Sequence, residues 1–150
     1  MKTRERFDQG ELSSDSDAKP FRMLSIYDSE EAGRDATHTS NLVLRELGDT
    51  IEADRSTWNL HSLDTKAICS LAAEEAARAD VIVIALAGDK PSDTLKKWTA
   101  AWQKSRELNG GLLALIPSGD SENGGDLADF LYETAVTANM DFLCQKKRRS

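Results

Sequence analysis

The sequence predicts a three-layer α/β domain, in which helices cover both faces of a doubly wound parallel sheet of five strands. Three observations lead to this fold class. The length of 150 residues suits one domain. Apolar runs of strand length alternate with segments of helical periodicity, which is typical of β-α-β units. The strand runs are apolar at almost every position, as expected of strands buried on both faces.

A polar segment separates the first strand from the first helix. Residues 21–27 (FRMLSIY) form a short apolar run that ends at Asp-Ser-Glu-Glu, which predicts a buried strand followed by a loop. We expect structure to resume near Thr37 in a helix that stops at Gly48, a natural C-cap. The apolar stripe of this helix is Leu42, Val43, Leu44 and Leu47.

The second strand and helix are less sharply marked. A weaker strand lies between residues 51 and 60, with Trp58 near its end. Either Ser62 or Asp64 can cap the helix that follows. The apolar face of that helix is Ile68, Leu71, Ala72 and Ala76.

The third strand gives the strongest pattern. Residues 81–86 (VIVIAL) are apolar throughout and rich in β-branched side chains, which is typical of a central parallel strand. Pro91 suits the first turn of the next helix, and Asn-Gly-Gly at residues 109–111 ends it. Its apolar residues are Leu95, Trp98 and Trp102. We expect both indoles to pack against the sheet.

The remaining segments complete the alternation. Residues 112–116 (LLALI) predict a fourth strand that stops at Pro117, and residues 140–144 (MDFLC) predict a fifth. Between them, the loop at residues 118–125 (SGDSENGG) leads into a helix. The apolar residues of that helix are Leu127, Phe130, Leu131, Val136 and Ala138.

Five strands in this alternation favour the flavodoxin-like order 2-1-3-4-5. In such a sheet the ligand crevice lies at the carboxyl ends of the strands, beside the switch point between strands one and three. The loops at that point are residues 27–40, 87–93 and 117–125. We therefore expect any chemistry in these three loops.

The ends of the chain differ from the domain at residues 20–145. Residues 1–19 are polar and aperiodic, which predicts a disordered lead, and residues 146–150 form a basic tail. The lead lacks the apolar stretch of a secretory signal, and the longest apolar run, residues 81–88, is too short to span a bilayer. We therefore expect a cytoplasmic protein with no membrane partner.

Charge and cysteine content argue against further classes of protein. The domain holds eleven basic and twenty-one acidic residues, and this negative surface repels nucleic acid. Cys69 and Cys144 form no Cys-x-x-Cys motif, which argues against a zinc site or a disulfide scaffold. His38 and His61 lie in different segments, so we expect no bound metal. Asp28, Glu30 and Glu31 fit either a solvated acidic loop or a magnesium site, and the loop is the preferred interpretation.

The segment from residue 79 to residue 125 resembles the second half of flavodoxin-like NAD(P)H-dependent FMN reductases. The similar residues are Ala-Asp-Val-Ile-Val-Ile-Ala at 79–85, Pro91, Trp98 and Ser118-Gly119. The resemblance implies that the loops after the third and fourth strands clamp a flavin, through Gly88, Asp89, Ser118 and Gly119. The third-strand loop here, residues 87–90, carries no aromatic side chain.

An FMN phosphate would need donors in the first loop. Thr37, Thr39 and Ser40 supply hydroxyl groups there, and Arg34 supplies a positive charge. Four carboxylates lie beside them in the sequence and oppose a phosphate. They are Asp28, Glu30, Glu31 and Asp35. An exposed Arg34 paired with one of these carboxylates is the alternative interpretation.

Two further resemblances concern the whole domain. It is similar to response-regulator receiver domains in the acidic residues after the first strand, in Ser118 and in Lys146, but Ala85 stands where the phosphoacceptor aspartate is expected. It also resembles short bacterial proteins of unassigned role, in Tyr27-Asp28, Gly33-Arg34 and Trp58, among other residues. That resemblance implies the flavodoxin-like fold and no reaction.

We therefore expect a ligand-binding or interaction module without catalytic activity. Its partner would be a protein or a small anionic ligand, and an apolar helix face allows a homodimer. The alternatives are an FMN-dependent NAD(P)H oxidoreductase and a degenerate receiver-like signalling domain. The missing aromatic residue in the third-strand loop favours the module over the oxidoreductase.

Overall fold

A computed structural model describes residues 21–48, 53–88, 90–107, 110–117 and 125–144. The predicted lead and basic tail lie outside these residues. The elements in chain order are β1 (Phe21–Tyr27), α1 (Glu30–Leu47), β2 (Ala53–Asn59), a 3-10 helix (Leu60–Asp64), α2 (Lys66–Ala77), β3 (Val81–Leu86), α3 (Asp93–Ser105), β4 (Leu112–Pro117), α4 (Gly125–Ala138) and β5 (Asp141–Cys144).

The five strands form one parallel sheet in the order β2-β1-β3-β4-β5. The register sets Met23 opposite Val81 and Tyr27 opposite Ala85, so β1 and β3 end side by side. The predicted α/β class and strand order are confirmed, and the arrangement is flavodoxin-like. The switch point lies between β1 and β3, because the chain continues toward one edge of the sheet after β1 and toward the other edge after β3.

Two apolar layers sandwich the sheet. Alternate residues of β1, β3 and β4 point into a large cluster with α2, α3 and α4, while the intervening residues meet α1. Every residue of β3 is buried, which confirms that this strand is covered on both faces. In α3, Trp98 and Trp102 are 0% exposed and form an edge-to-face pair at 5.8 Å, so their predicted packing role is confirmed.

The first helix begins earlier than the sequence pattern predicts. The Ser29 hydroxyl accepts a hydrogen bond from the Ala32 N–H at 3.1 Å, and α1 starts at Glu30 rather than near Thr37. The expected loop over residues 27–40 is therefore wrong beyond Ser29. Small residues face the sheet at four-residue spacing, namely Ala32, Ala36 and Ser40. A search for large apolar residues misses such a stripe, and Leu42, placed on the predicted stripe, is exposed.

Other boundaries and faces also differ. The 3-10 helix occupies the segment where Ser62 or Asp64 was expected to cap α2, which begins after Thr65. Alanines pack α2 closely against the sheet, and Leu71 points outward with 52% exposure. Val136 is likewise exposed on α4. In the described part of the chain, no helix has both the length and the apolar character needed to cross a membrane.

Candidate functional site

A cleft of about 380 Å³ opens at the carboxyl ends of β1 and β3, at the switch point. We call it the carboxyl-end cleft. Segments that follow β1, β2 and β3 surround it, together with the start of α3. Its lining residues are Asp28, Leu60, His61, Asp64, Leu86, Gly88, Lys90, Ser92 and Thr94. The buried side chains of Leu60 and Leu86 give it apolar surface, and its other side chains are polar.

Asp28 fixes the loop that follows β3. Both carboxylate oxygens of Asp28 accept hydrogen bonds from the Ala87 N–H, each at 3.1 Å. This contact joins residues that are 59 positions apart in sequence. It holds the ends of the two central strands together at the cleft.

The other walls are tied together in a similar way. The Asn59 side chain accepts a hydrogen bond from the His61 N–H at 2.9 Å and starts the 3-10 helix. The Thr94 hydroxyl donates to Asp64 at 3.4 Å, which links the 3-10 helix to α3. Lys90 pairs with Asp126 of α4 at 3.3 Å. The cleft is therefore shaped by contacts within the protein, and it offers a small ligand both apolar and polar surface.

A second concavity lies on the opposite face of the sheet, between α1 and β2. This α1 groove has a volume of about 620 Å³. It is lined by Tyr27, Glu30, Gly33, Arg34, Thr37, His38, Asn41 and Thr57. A Cβ atom at Gly33 would lie 3.2 Å from Cδ2 of Tyr27, so the absence of a side chain there lets the ring lie close to the helix.

The structure separates the residues that the sequence assigns to one crevice. Gly88 lines the carboxyl-end cleft, whereas Arg34 and Thr37 line the α1 groove. Ser40 is buried, with its Oγ atom 3.2 Å from that of Ser25, and Thr39 is half-buried on α1. Asp89, Ser118 and Gly119 lie outside the described residues.

The position of the hydroxyl residues bears on phosphate binding. Thr37, Thr39 and Ser40 lie in the second and third turns of α1, where backbone N–H groups bond to carbonyls four residues earlier. These N–H groups cannot form the phosphate loop that the sequence suggests. The first turn of α1 carries Glu30 and Glu31 instead, and their charges oppose an anion.

The acidic residues after β1 are also divided between the cleft and the groove. Asp28 lines the cleft and Glu30 lines the groove. Within the described ranges, no group of three or more His, Cys, Asp or Glu side chains is placed to hold a metal ion.

Sequence reasoning missed the part of the cleft that follows β2. His61 and Asp64 come from the 3-10 helix, and β2 is a neighbour of β1 in the sheet. The predicted strand order could have indicated these residues, because it places the end of the second strand beside the end of the first. Lys90 fell within a predicted loop, and Thr94 lies one residue beyond it.

The amino end of the sheet carries a half-buried cation with a different role. Arg106 donates to the carbonyls of Ala76 at 3.1 Å, Ala79 at 3.0 Å and Gly110 at 2.8 Å. Burial lowers the pKa of Arg106 below its ordinary value, and the charge of Asp80 opposes that shift. All three acceptors are backbone groups, so this arginine joins the end of α2 to the turn before β4.

Comparison of the chain with models of known protein families, with curated proteins and with solved structures found no match. Evidence about function therefore comes from the geometry of the cleft and the groove.

Proposed function

We propose that this protein is a binding module that holds a small polar ligand in the carboxyl-end cleft and performs no chemistry on it. One observation carries the proposal. The cleft lies at the switch point of a doubly wound sheet, where ligands of such folds bind, and hydrogen bonds across three loops hold it open. A preformed cleft favours binding, because the protein loses little conformational freedom when the ligand enters.

The polar groups of the cleft support a role without catalysis. Asp28 accepts from Ala87, Asp64 accepts from Thr94, and the Ser92 hydroxyl accepts from the Leu95 N–H. A nucleophile needs an adjacent base within hydrogen-bond reach. The hydrogen-bond partners of these three side chains are two backbone N–H groups and the Thr94 hydroxyl, which are not bases, and each contact joins elements that shape the cleft.

The charges of the cleft favour one class of ligand. Asp28 and Asp64 lie in its lining, and Lys90, the lysine among the described lining residues, is paired with Asp126. This balance favours a neutral or cationic polar ligand over the small anion that the sequence suggests. Hydroxyl or amine groups on the ligand would match the carboxylate acceptors.

The first experiment identifies what the purified protein carries. The wild-type protein is denatured, and mass spectrometry detects the released small molecules. The test variant is Gly88→Phe, because Gly88 lines the cleft and a Cβ atom there meets no other atom within 4 Å. We expect the ring to occupy the cleft, and circular dichroism verifies that the variant folds. The matched control is Thr57→Phe, which places the same ring in the α1 groove.

We expect a small molecule that the wild type and Thr57→Phe release and that Gly88→Phe lacks. Loss from Thr57→Phe alone would move the site to the α1 groove. If all three proteins release nothing, or release the same molecules in equal amounts, the cleft is not the binding site.

An FMN-dependent NAD(P)H oxidoreductase is the second candidate, and the α1 groove favours it. The groove combines the Tyr27 ring with the positive charge of Arg34. The absorbance spectrum of concentrated protein and a fluorescence titration with FMN test this alternative. If FMN binds there, Arg34→Ala weakens binding by about 1.5 kcal/mol, which is roughly tenfold. A protein spectrum without flavin bands, together with no saturable quenching, would exclude it.

A further inference from the structure

Exposed apolar side chains concentrate around β5. Five large apolar side chains are exposed in the described structure, and three of them surround this strand. Tyr132 and Val136 lie one turn apart on α4, with exposures of 54% and 57%, and Leu143 of β5 is 51% exposed. We call these three residues the β5 patch. The other two, Leu42 and Leu71, lie singly on α1 and α2.

The β5 patch has apolar residues on both faces of the sheet at its β5 edge. The Tyr132 ring packs edge-to-face on Phe142 at 5.9 Å, so it reaches β5 from the α4 face of the sheet. Phe142 packs against the large apolar cluster, and alternation along the strand therefore directs Leu143 to the opposite face. On that face the described helix is α1, which lies over β1, β3 and β4. The exposed patch thus continues around the edge of the sheet.

The two edge strands of the sheet differ in their protection. β2 and β5 stand at the ends of the strand order. β2 carries Asp54 and Arg55, and the Arg55 guanidinium donates to Asn41 of α1 at 3.0 Å. Charges on an edge strand discourage pairing with another chain. β5 (DFLC) has one charge, at its first residue, and apolar side chains at the next three positions.

We infer that the β5 patch is the interface of a homodimer, in which β5 of one copy pairs antiparallel with β5 of a second copy. A two-fold axis between the two β5 strands, perpendicular to the joined sheet, brings together the same residues of both copies, which is how an isologous interface forms. Tyr132 and Val136 of the two α4 helices then cover one face of the joined sheets. The two Leu143 side chains meet near the axis on the other face.

Charge complementarity supports antiparallel pairing with a second copy. β5 starts at Asp141, and the sequence after this strand continues with Lys146, Lys147, Arg148 and Arg149. Antiparallel pairing brings the start of each strand beside the end of its partner, so the end of β5, which four basic residues follow in the sequence, lies next to Asp141 of the second copy. The interface lies at the edge of the sheet, and the proposed ligand cleft lies at its centre. Dimerisation and ligand binding are therefore testable separately.

Sedimentation velocity over a range of protein concentrations tests the dimer. We expect the wild type to be dimeric at about 100 μM, a concentration at which even a modest interface associates. Leu143→Asp should weaken association by at least about tenfold, because it places like charges at the axis. The matched control is Leu71→Asp, which introduces the same charge at an equally exposed leucine and should leave association unchanged. Circular dichroism verifies that both variants fold.

Two outcomes would overturn the interface. One is a wild-type protein that stays monomeric at this concentration. The other is a dimer that Leu143→Asp leaves intact while the variant remains folded.

Disulfide trapping and charge reversal give independent measurements. Leu143→Cys should form a covalent dimer under mild oxidation, and Leu71→Cys should not. Asp141→Lys should weaken the dimer, and the added replacements Lys146→Glu and Lys147→Glu should restore it. Equal trapping of both cysteine variants, or no restoration by the reversed charges, would contradict antiparallel pairing. Gly88→Phe should dimerise like the wild type, so a failure of the proposed ligand site would leave this result unaffected.

Discussion

The two ends of the sheet each hold a cation, and the two cations act differently. Arg106 at the amino end is half-buried and donates to three backbone carbonyls that belong to two separate segments. Lys90 at the carboxyl end has a side chain that is 75% exposed and forms an ion pair with Asp126. Contacts at the amino end join α2 to the turn before β4. At the carboxyl end, contacts run around an opening and leave room for a ligand.

Backbone hydrogen bonds strengthen this contrast. At the amino end, two hydrogen bonds join Asp80 to the backbone of Arg22. The Asp80 N–H donates to the Arg22 carbonyl at 2.8 Å, and the Arg22 N–H donates to a carboxylate oxygen of Asp80 at 2.9 Å. The Leu112 N–H donates to the Asp80 carbonyl, and the Asp141 N–H donates to the Gly111 carbonyl. Four of the five strands are thus joined where they begin. We therefore expect stability to depend on the amino end and binding to depend on the carboxyl end.

The largest expected effect is on Arg106. Arg106→Met keeps the length of the side chain but removes the donors to Ala76, Ala79 and Gly110. We expect the free energy of unfolding to fall by about 3 kcal/mol, because half-buried carbonyls lose charged hydrogen-bond donors. Urea denaturation followed by circular dichroism measures the change.

The control for this variant is Arg106→Lys, which keeps the charge but not the forked geometry and should recover part of the loss. A change below about 1 kcal/mol in Arg106→Met would show that the amino end is not the stabilising end.

The second prediction concerns the turn that Arg106 contacts. Gly111 has φ of 109°, and a Cβ atom there would lie 2.6 Å from the Arg106 Nη2 atom and 3.0 Å from the Asp80 carbonyl oxygen. Gly111→Ala should cost about 2 kcal/mol of unfolding free energy, from backbone strain and from the clash together. Gly110→Ala shares the backbone strain, with φ of 92°, but meets no atom within 4 Å. Equal losses in the two variants would show that the clash contributes nothing.

The fold was largely predictable because large apolar residues mark β1, β3 and β4, whereas β2 (ADRSTWN) is only weakly marked. Residues 81–86 are buried without exception, and alternation with helices predicts parallel pairing and favours the observed strand order. The start of α1 was not predictable from the same signal. Its inward face there is Ala32, Ala36 and Ser40, whose small side chains give weak hydrophobic periodicity.

The site was predictable in its position more than in its residues. The strand order places it at the ends of β1 and β3, and Gly88 lines the cleft there. His61 and Asp64 approach the cleft through a 3-10 helix that produces no apolar pattern. Arg106 contacts carbonyls about thirty positions away, and such long-range polar contacts have no local sequence signal.

A smaller effect is expected at Asp28. Asp28→Ala removes the acceptor of the Ala87 N–H and should cost about 1 kcal/mol of stability, because solvent reaches this exposed contact and partly replaces it. The same variant should weaken binding of the released ligand, since the loop after β3 loses its attachment to β1. Asp28→Asn keeps one acceptor oxygen and should retain most of the stability. Thermal unfolding and ligand titration of the two variants separate these effects. If Asp28→Ala binds like the wild type, this contact does not shape the cleft.

The smallest expected effect is on Lys90, the counterpart of Arg106. Its partner Asp126 is 67% exposed, and ion pairs in water contribute little because solvent and salt screen them. Lys90→Ala should therefore change the free energy of unfolding by less than about 0.5 kcal/mol. The variant should nevertheless alter ligand binding, because it removes the lysine charge from the described cleft lining and leaves Asp28 and Asp64. A cationic ligand would then bind more tightly and an anionic ligand more weakly, so one titration shows the sign of the ligand's charge. A stability loss as large as that of Arg106→Met would remove the distinction between the two ends of the sheet.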